Sequence, residues 1–309
     1  MAVNNYNFYE IYGLKLKTNM KMKELYELKS GLDDKYKVNV NIEKVPSEIK
    51  KLADEGYLGN YLKDEVWFNI RDLAIYHIKD GRDISIEPYD ENVDKDLMKA
   101  YLLGSGLGFT LFQKGMVAIH GGTTVLGNKG VIFTGDRGAG KSTLTTALRQ
   151  RGHKFVTDDV SVLTEESPYL VYPGYPQQKI CVDVMKKLGY DKFEFTQMIG
   201  DNREKYLIPV TENREEEPVS LDAICHLCVG DVDDIVVEEI TGVDKINTIK
   251  NNIYRIDFIG NYIGLPPVYF KKILEIAKNV PIYKITRPRD KFTLDEQISI
   301  IEEMFTINN

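Results

Sequence analysis

The stretch "GVIFTGDRGAGKSTLTTALRQRG" (residues 130–152) decides the fold class. It opens with a short apolar, β-branched run, Val131, Ile132 and Phe133, which reads as a buried strand. Gly135, Gly138 and Gly140 follow in quick succession. Leu144, Ala147 and Leu148 then share one helical face, and Gly152 stands at a C-terminal stop. Strand, glycine-rich loop and helix thus carry the spacing Gly135-x-x-x-x-Gly140-Lys141-Ser142. Successive backbone N–H groups in such a loop form an anion nest, helped by the positive end of the following helix. The expected nucleotide-binding residues are Gly135, Asp136, Arg137, Gly138, Ala139, Gly140, Lys141, Ser142 and Thr143. Lys141 can reach the β- and γ-phosphates as a point charge, and the Ser142 hydroxyl can sit on Mg²⁺. The stretch predicts a nucleoside triphosphate site that also takes Mg²⁺.

Outward from the loop, the next chemical signal is "HKFVTDDVSVL" (residues 153–163). Asp158 and Asp159 follow Lys141 by 17 and 18 positions. A helix of about ten residues and a short turn fit between, so the strand carrying the aspartates can lie beside the loop's strand. Two adjacent carboxylates near a triphosphate can divide two tasks. One binds Mg²⁺, directly or through water; the other accepts the proton of an attacking hydroxyl. His120, at the end of the apolar run "MVAI", is a third candidate. If its strand pairs with the loop's strand, its end approaches the phosphates, where a histidine can orient or polarise an aspartate. The alternative is a satisfied core histidine.

The chain has 309 residues, 43% of them hydrophobic, enough for one large domain and a smaller companion. A formal net charge of -7 argues against a broad nucleic-acid footprint. No apolar run is long enough to span a bilayer, and no charged-then-apolar segment opens the chain. Cys181, Cys225 and Cys228 are an odd, sparse set that suits a reducing cytoplasm. Cys225 and Cys228 form a lone Cys-x-x-Cys without a second ligand pair, and they read as core positions of a buried strand.

Residues 1–90 predict strands and tight turns, with Asp80-Gly81 the clearest hairpin signal and Ser47 the N-cap of a short helix. His77 and Trp67 read as structural. Residues 94–113 predict an apolar helix interrupted by Gly104, Gly106 and Gly108. The proline-rich span 164–220, with its acidic run at 212–217, reads as irregular. Towards the end, Phe270, Ile273, Leu274 and Ala277 predict one buried helical face, and Thr293 the N-cap of a last helix.

Together "AIHG", "GVIFTGDRGAGKST" and "RGHKFVTDDV" resemble HPr kinase/phosphorylase, the bacterial enzyme that phosphorylates a serine of the HPr carrier protein. The resemblance covers roughly residues 117–163. It implies an α/β (mixed α+β) fold whose P-loop kinase core is related to the phosphoenolpyruvate carboxykinase nucleotide fold. The kinase domain is expected over residues 91–309, preceded by a small β-rich domain over 1–90. Lys141 and Ser142 match the family's phosphate lysine and Mg²⁺-binding serine. Asp159 matches its catalytic base, Asp158 the acidic neighbour, which is the one expected to act through Mg²⁺, and His120 the active-site histidine. Thr143 replaces an acidic residue frequent after the Gly-Lys-Ser, and residues 172–189 hold no counterpart of the family's metal-binding glutamate.

Across most of the chain the sequence is similar to a branch of shorter HPr-kinase-like proteins in ribosomal peptide clusters, lasso peptides included. The features are "YGLKL", "YLLGSGLGFTLFQKGMVAIHG", the P-loop, "VTDDV", "YPGYP", "DNREKYLIPV" and "VPIYKITRPRD". Members of that branch phosphorylate the C-terminal residue of a precursor peptide. The resemblance implies a cytoplasmic, ATP-dependent kinase of a Ser/Thr hydroxyl on a peptide or protein, with no nucleic acid or membrane as partner. Arg203, Lys205 and Lys179 are the candidates for gripping such an acceptor. A kinase of a free small-molecule hydroxyl and a nucleotide-binding regulatory protein are the competing expectations. The oligomeric state is left open, a homo-oligomer included.

Overall fold

The computed structural model describes residues 6–28, 35–165, 167–191, 195–198 and 204–306. The chain is a mixed α/β protein of two compact units, Met1–Met116 with Arg255–Pro267, and Val117–Tyr254 with Val268–Asn309. No helix among the described residues is long and apolar enough to cross a membrane.

The first unit is built on eight strands: β1 (Asn7–Ile11), β2 (Leu14–Thr18), β3 (Tyr26–Glu27), β4 (Lys37–Ile42), β5 (Gly59–Tyr61), β6 (Glu65–Ile70), β7 (Ala74–Lys79) and β8 (Asp83–Pro88). They lie in the order β3-β1-β2-β4-β8-β7-β6-β5. Strict alternation makes β2 a strand with one buried face: Leu14, Leu16 and Thr18 point inward, Lys15 and Lys17 outward. Asp80 and Gly81, both left-handed, turn β7 into β8 as expected. Helix α1 (Ser47–Asp54) is capped by Pro46, so Ser47 is its first helical residue and not its N-cap. Pro46 supplies no N–H and a fixed φ, which suits a helix entry. Trp67 packs with Val45, Ile49, Ala53 and Ile75, and His77 contacts Glu65 at 2.8 Å. The stretch after β8 is helical throughout: α2 (Lys95–Tyr101), a wide π-turn over Leu102–Gly106, then α3 (Leu107–Gln113). Gly104 and Gly106 fall in the widened turn, where they relax the helix without ending it. This helical run sits with the first unit.

The second unit carries the phosphate loop. Strands β9 (Ala118–Leu126) and β10 (Lys129–Gly135) form a hairpin, and α4 (Lys141–Gln150) follows the loop. Next come β11 (Lys154–Thr157), β12 (Val160–Leu163) and β13 (Leu170–Tyr172). A separate three-stranded sheet, order β14-β16-β15, holds β14 (Gln177–Cys181), β15 (Thr196–Met198) and β16 (Lys205–Pro209), with α5 (Val182–Met185) after β14. The span 164–220 is therefore not irregular. Its prolines sit at strand ends, Pro173 after β13, Pro176 before β14 and Pro209 closing β16, where the missing N–H costs no ladder bond. The chain finishes with β17 (Val219–Gly230), β18 (Val236–Ile240), α6 (Gly242–Asn251), α7 (Ile256–Phe258), α8 (Pro267–Asn279), β19 (Ile282–Pro288) and α9 (Leu294–Thr306); α7 belongs to the first unit.

Strands β10, β17 and β19 run parallel, so the loop after β10, Gly230 and Pro288 all leave the same edge. Ligands bind at this edge of parallel sheets, outside the carboxyl ends of the strands. From Gly130 to Gly135 every residue of β10 is buried, as for a central strand covered on both faces. Leu144, Leu148, Ile298, Ile301 and Phe305 bring α4 and α9 onto Val131, Phe133, Ala223, Cys225 and Leu227. Cys225 is part of that core, whereas Cys228, three residues along the same strand, takes the opposite face. The two thiols cannot share a metal or a disulfide; Cys225 is a core position as expected, whereas Cys228, also expected in the core, is only half-buried. The buried face of α8 is Tyr269, Ile273, Ile276 and Ala277. Phe270 and Leu274, expected inside, are 40% and 39% exposed.

A candidate active site at the phosphate loop

Gly140 has φ 104°, a left-handed conformation that a side chain would strain, and it starts α4 there. Lys141 folds back along the loop: its Nζ donates to Gly135 O at 2.7 Å and Asp136 O at 3.2 Å. Burial lowers its proton affinity, opposed mainly by the charge of Asp159. Ser142 and Thr143 are half-buried in the first turn, while Ala139 N closes the loop onto Asp136 O at 3.1 Å.

Asp158 and Asp159 lie in a bend between β11 and β12, and both strands pair along β9 rather than β10. The strand expected beside the loop is thus one position farther out, because β9 takes the edge of β10 through its hairpin. A bulge between Phe155 and Thr157 precedes the bend. Thr157 Oγ1 closes it on Val160 O at 2.8 Å, and Gly121 N donates to Asp159 O at 3.0 Å. Gly122 makes room for it: a Cβ there would lie 2.6 Å from Asp158 O.

Lys179 on β14 holds both acids. Its backbone N donates to Asp158 Oδ2 at 2.9 Å, and its Nζ to Asp159 Oδ2 at 2.6 Å. Burial pushes Asp159 up, but Lys179 and then His120 outweigh it, and its carboxyl is held below the usual carboxylate range. Burial, with the charge of Asp159 second, raises Asp158. Burial likewise opposes the charge on Lys179, yet Asp159 and Tyr175 hold it protonated, well above the ordinary lysine range. Asp158 Oδ1 is buried and has no hydrogen-bond partner among the described residues. A buried, unsatisfied carboxyl oxygen is one that a bound cation can satisfy. Asp158, and Ser142 at the head of α4, are the residues that could hold a Mg²⁺ ion, although no cluster of three or more His, Cys, Asp or Glu forms a cage among the described residues.

His120 pairs with Val160 across β9–β12, and its backbone N donates to Asn252 O at 2.7 Å. Its ring stacks on Tyr254, centroids 5.8 Å apart. Asn252 also accepts from Thr134 Oγ1 at 2.8 Å and meets His226 Nδ1 at 3.4 Å. His226 has its proton affinity lowered, by burial first.

The structure therefore brings together Lys141, Asp158, Asp159, His120 and Lys179. Lys205 on β16 acts on both aspartates and on Lys141 through its charge. Arg203 lies outside the described residues. Sequence reasoning passed over Tyr175, Tyr254, Asn252, His226 and Arg287. Tyr175 hydrogen-bonds Lys179, and Arg287 reaches the loop from β19. Tyr175 sits in the "YPGYP" already singled out, and a tyrosine between two prolines was its one available signal.

No family model matches the chain. The sequence likeness is to HPr kinase/phosphorylases. Over 94 residues the chain is 32% identical to that of Stenotrophomonas maltophilia (strain K279a), and equally to that of Xanthomonas campestris pv. campestris (strain B100). The match takes in 29% of this chain and spans 29% of the length of these relatives. A solved structure, the Hpr(Ser) kinase/phosphatase from Coxiella burnetii, aligns over 60% of this chain and 92% of its own at 15% identity, with a TM-score of 0.30.

Proposed function

We propose that the chain is a cytoplasmic, ATP- and Mg²⁺-dependent kinase that moves a γ-phosphoryl group to a Ser or Thr hydroxyl of a peptide or protein. The observation that carries this is the paired-acid bend: an ionised Asp159 fixed by Lys179, and beside it Asp158 with one buried oxygen unpartnered among the described residues. A protein that only bound nucleotide would need the loop and not this bend. The partial likeness to HPr kinase/phosphorylases supports the same reading.

The loop N–H groups and Lys141 bind the phosphates. Ser142 and Asp158 would hold Mg²⁺, which when bound would neutralise charge on the transferred phosphoryl group. Asp159 orients the acceptor hydroxyl and takes its proton as the new O–P bond forms and the bond to the ADP oxygen breaks. Lys179 keeps Asp159 free of a proton until then. His120, stacked on Tyr254, favours the ionised form of Asp159. Roles rest on position: His120 lies on the strand paired with β10, Lys141 follows the loop after β10, and Lys179 bonds both acids.

The acceptor we favour is the C-terminal residue of a lasso-type precursor peptide. Lys205, and Arg203 two positions before it in sequence, would meet the terminal carboxylate, for which a guanidinium is suited. Two peptides ending in serine, one amidated and one a free acid, test this. The free acid should be phosphorylated with a KM at least about tenfold lower, the worth of one charge-assisted contact. Equal phosphorylation would make an internal Ser or Thr the acceptor. A serine- or threonine-like small molecule phosphorylated faster than any peptide would favour the small-molecule kinase.

A further inference from the structure

Arg287 lies one residue before the end of β19, opposite Val229 of β17, on the edge from which the phosphate loop departs. Its side chain turns towards that loop. Nε donates to Ala139 O and Nη2 to Gly138 O, both at 3.5 Å, and Nη1 to Pro288 O at 3.2 Å. All three acceptors are neutral carbonyls, and two of the bonds are at the long limit of a hydrogen bond. Among the described residues no carboxylate pairs with it. The neighbouring Arg289 is different: it is exposed and bonded to Asp231 Oδ1 at 3.2 Å.

A half-buried guanidinium held by long bonds to neutral oxygens is an unbalanced charge. A phosphate oxygen offers it shorter, charge-assisted, bidentate bonds. The loop it touches is built to hold phosphate. From these contacts we infer that Arg287 is a further nucleotide-binding residue, which exchanges its bonds to Gly138 O and Ala139 O for the phosphate of the bound triphosphate. The inference rests on the nucleotide reading of the loop, and it assigns Arg287 to the ligand and not to bracing the loop. The charge then comes from β19, two strands away from the loop's own strand, so Lys141 and Arg287 approach the phosphates from different elements.

The test is equilibrium binding of a fluorescent ATP analogue with Mg²⁺ to the full chain. Arg287→Ala should weaken binding about 10–100-fold, as removing a charged hydrogen-bonding group does. Arg287→Gln keeps a donor for the loop carbonyls but no charge, and should lose as much as Arg287→Ala. Arg287→Lys keeps charge without the fork and should fall between. Arg289→Ala should bind as wild type. Free guanidinium should restore part of the affinity of Arg287→Ala, a recovery that a variant damaged in its fold would not show. Wild-type affinity in Arg287→Gln would overturn the inference and leave Arg287 a brace of the loop. A wild-type chain that binds no nucleotide would overturn the reading of the loop itself.

Discussion

Lys179 is the residue on which the two carboxylates depend. A backbone N–H takes one acid and an ammonium takes the other, so one residue sets two different environments. The two acids should accordingly fail in different ways. Asp159→Asn keeps shape but cannot accept a proton, and kcat should fall about 10²–10⁴-fold with little change in ATP affinity. Asp158→Asn should instead raise the Mg²⁺ requirement, and excess Mg²⁺ should recover part of the rate. Steady-state kinetics across a Mg²⁺ titration separate the two; an exchange of behaviours would reverse the roles. Lys179→Met removes the ammonium bonded to Asp159. It should lower kcat, and it should lower stability by about 1–3 kcal/mol in a denaturant titration, the cost of leaving a charged partner unmatched.

Elements decide where those residues can stand. The acid bend fits because β9 has no side chain at Gly122. Gly122→Ala would press a methyl into Asp158 O and Thr157 O, both backbone atoms that cannot swing away. Its cost should be about 1–3 kcal/mol, with kcat reduced further than the loss of folded protein explains. Thermal melts alongside rates on the folded fraction check this. On β17, opposite-facing Cys225 and Cys228 should behave as independent thiols. Cys225 is fully buried, and burial raises its proton affinity, so a thiol reagent at pH 8 should leave it unmodified until the chain is unfolded. A zinc content of one per chain would contradict that picture.

Much of this level was legible in the sequence, but unevenly. The strand, loop and helix around Lys141 combine a fixed glycine pattern with matching hydrophobic periods, and both signals are local. The strands in 164–220 were hidden because prolines mark strand ends and loops alike. The inward face of α8 was misjudged by about one residue: Phe270 and Leu274 are apolar enough to pass for core, and only tertiary packing selects Tyr269 and Ile276 instead. Ile273→Ala should therefore cost about 2–5 kcal/mol and Phe270→Ala far less.

At the scale of the whole molecule, the site is assembled from segments far apart in sequence. His120, Lys141, the acids and Lys179 follow in order, and spacing alone suggested the first four. Asn252, Tyr254 and Arg287 reach the same edge only through β17, β19 and the return of the chain after α6, which no local pattern records. Because the loop belongs to the folded state, nucleotide should stabilise the chain by mass action. At 100 times Kd the gain is about 2.7 kcal/mol, a rise of several degrees in Tm, and Lys141→Ala should lose most of it. The most direct measurement is transfer of label from γ-³²P-ATP to a panel of serine- and threonine-bearing peptides and proteins, by wild type and by Asp159→Asn at saturating nucleotide. The account predicts label in a hydroxyl-linked phosphoester on an acceptor with wild type, and at least a hundredfold less with Asp159→Asn although it still binds nucleotide. Transfer by Asp159→Asn at the wild-type rate would contradict it.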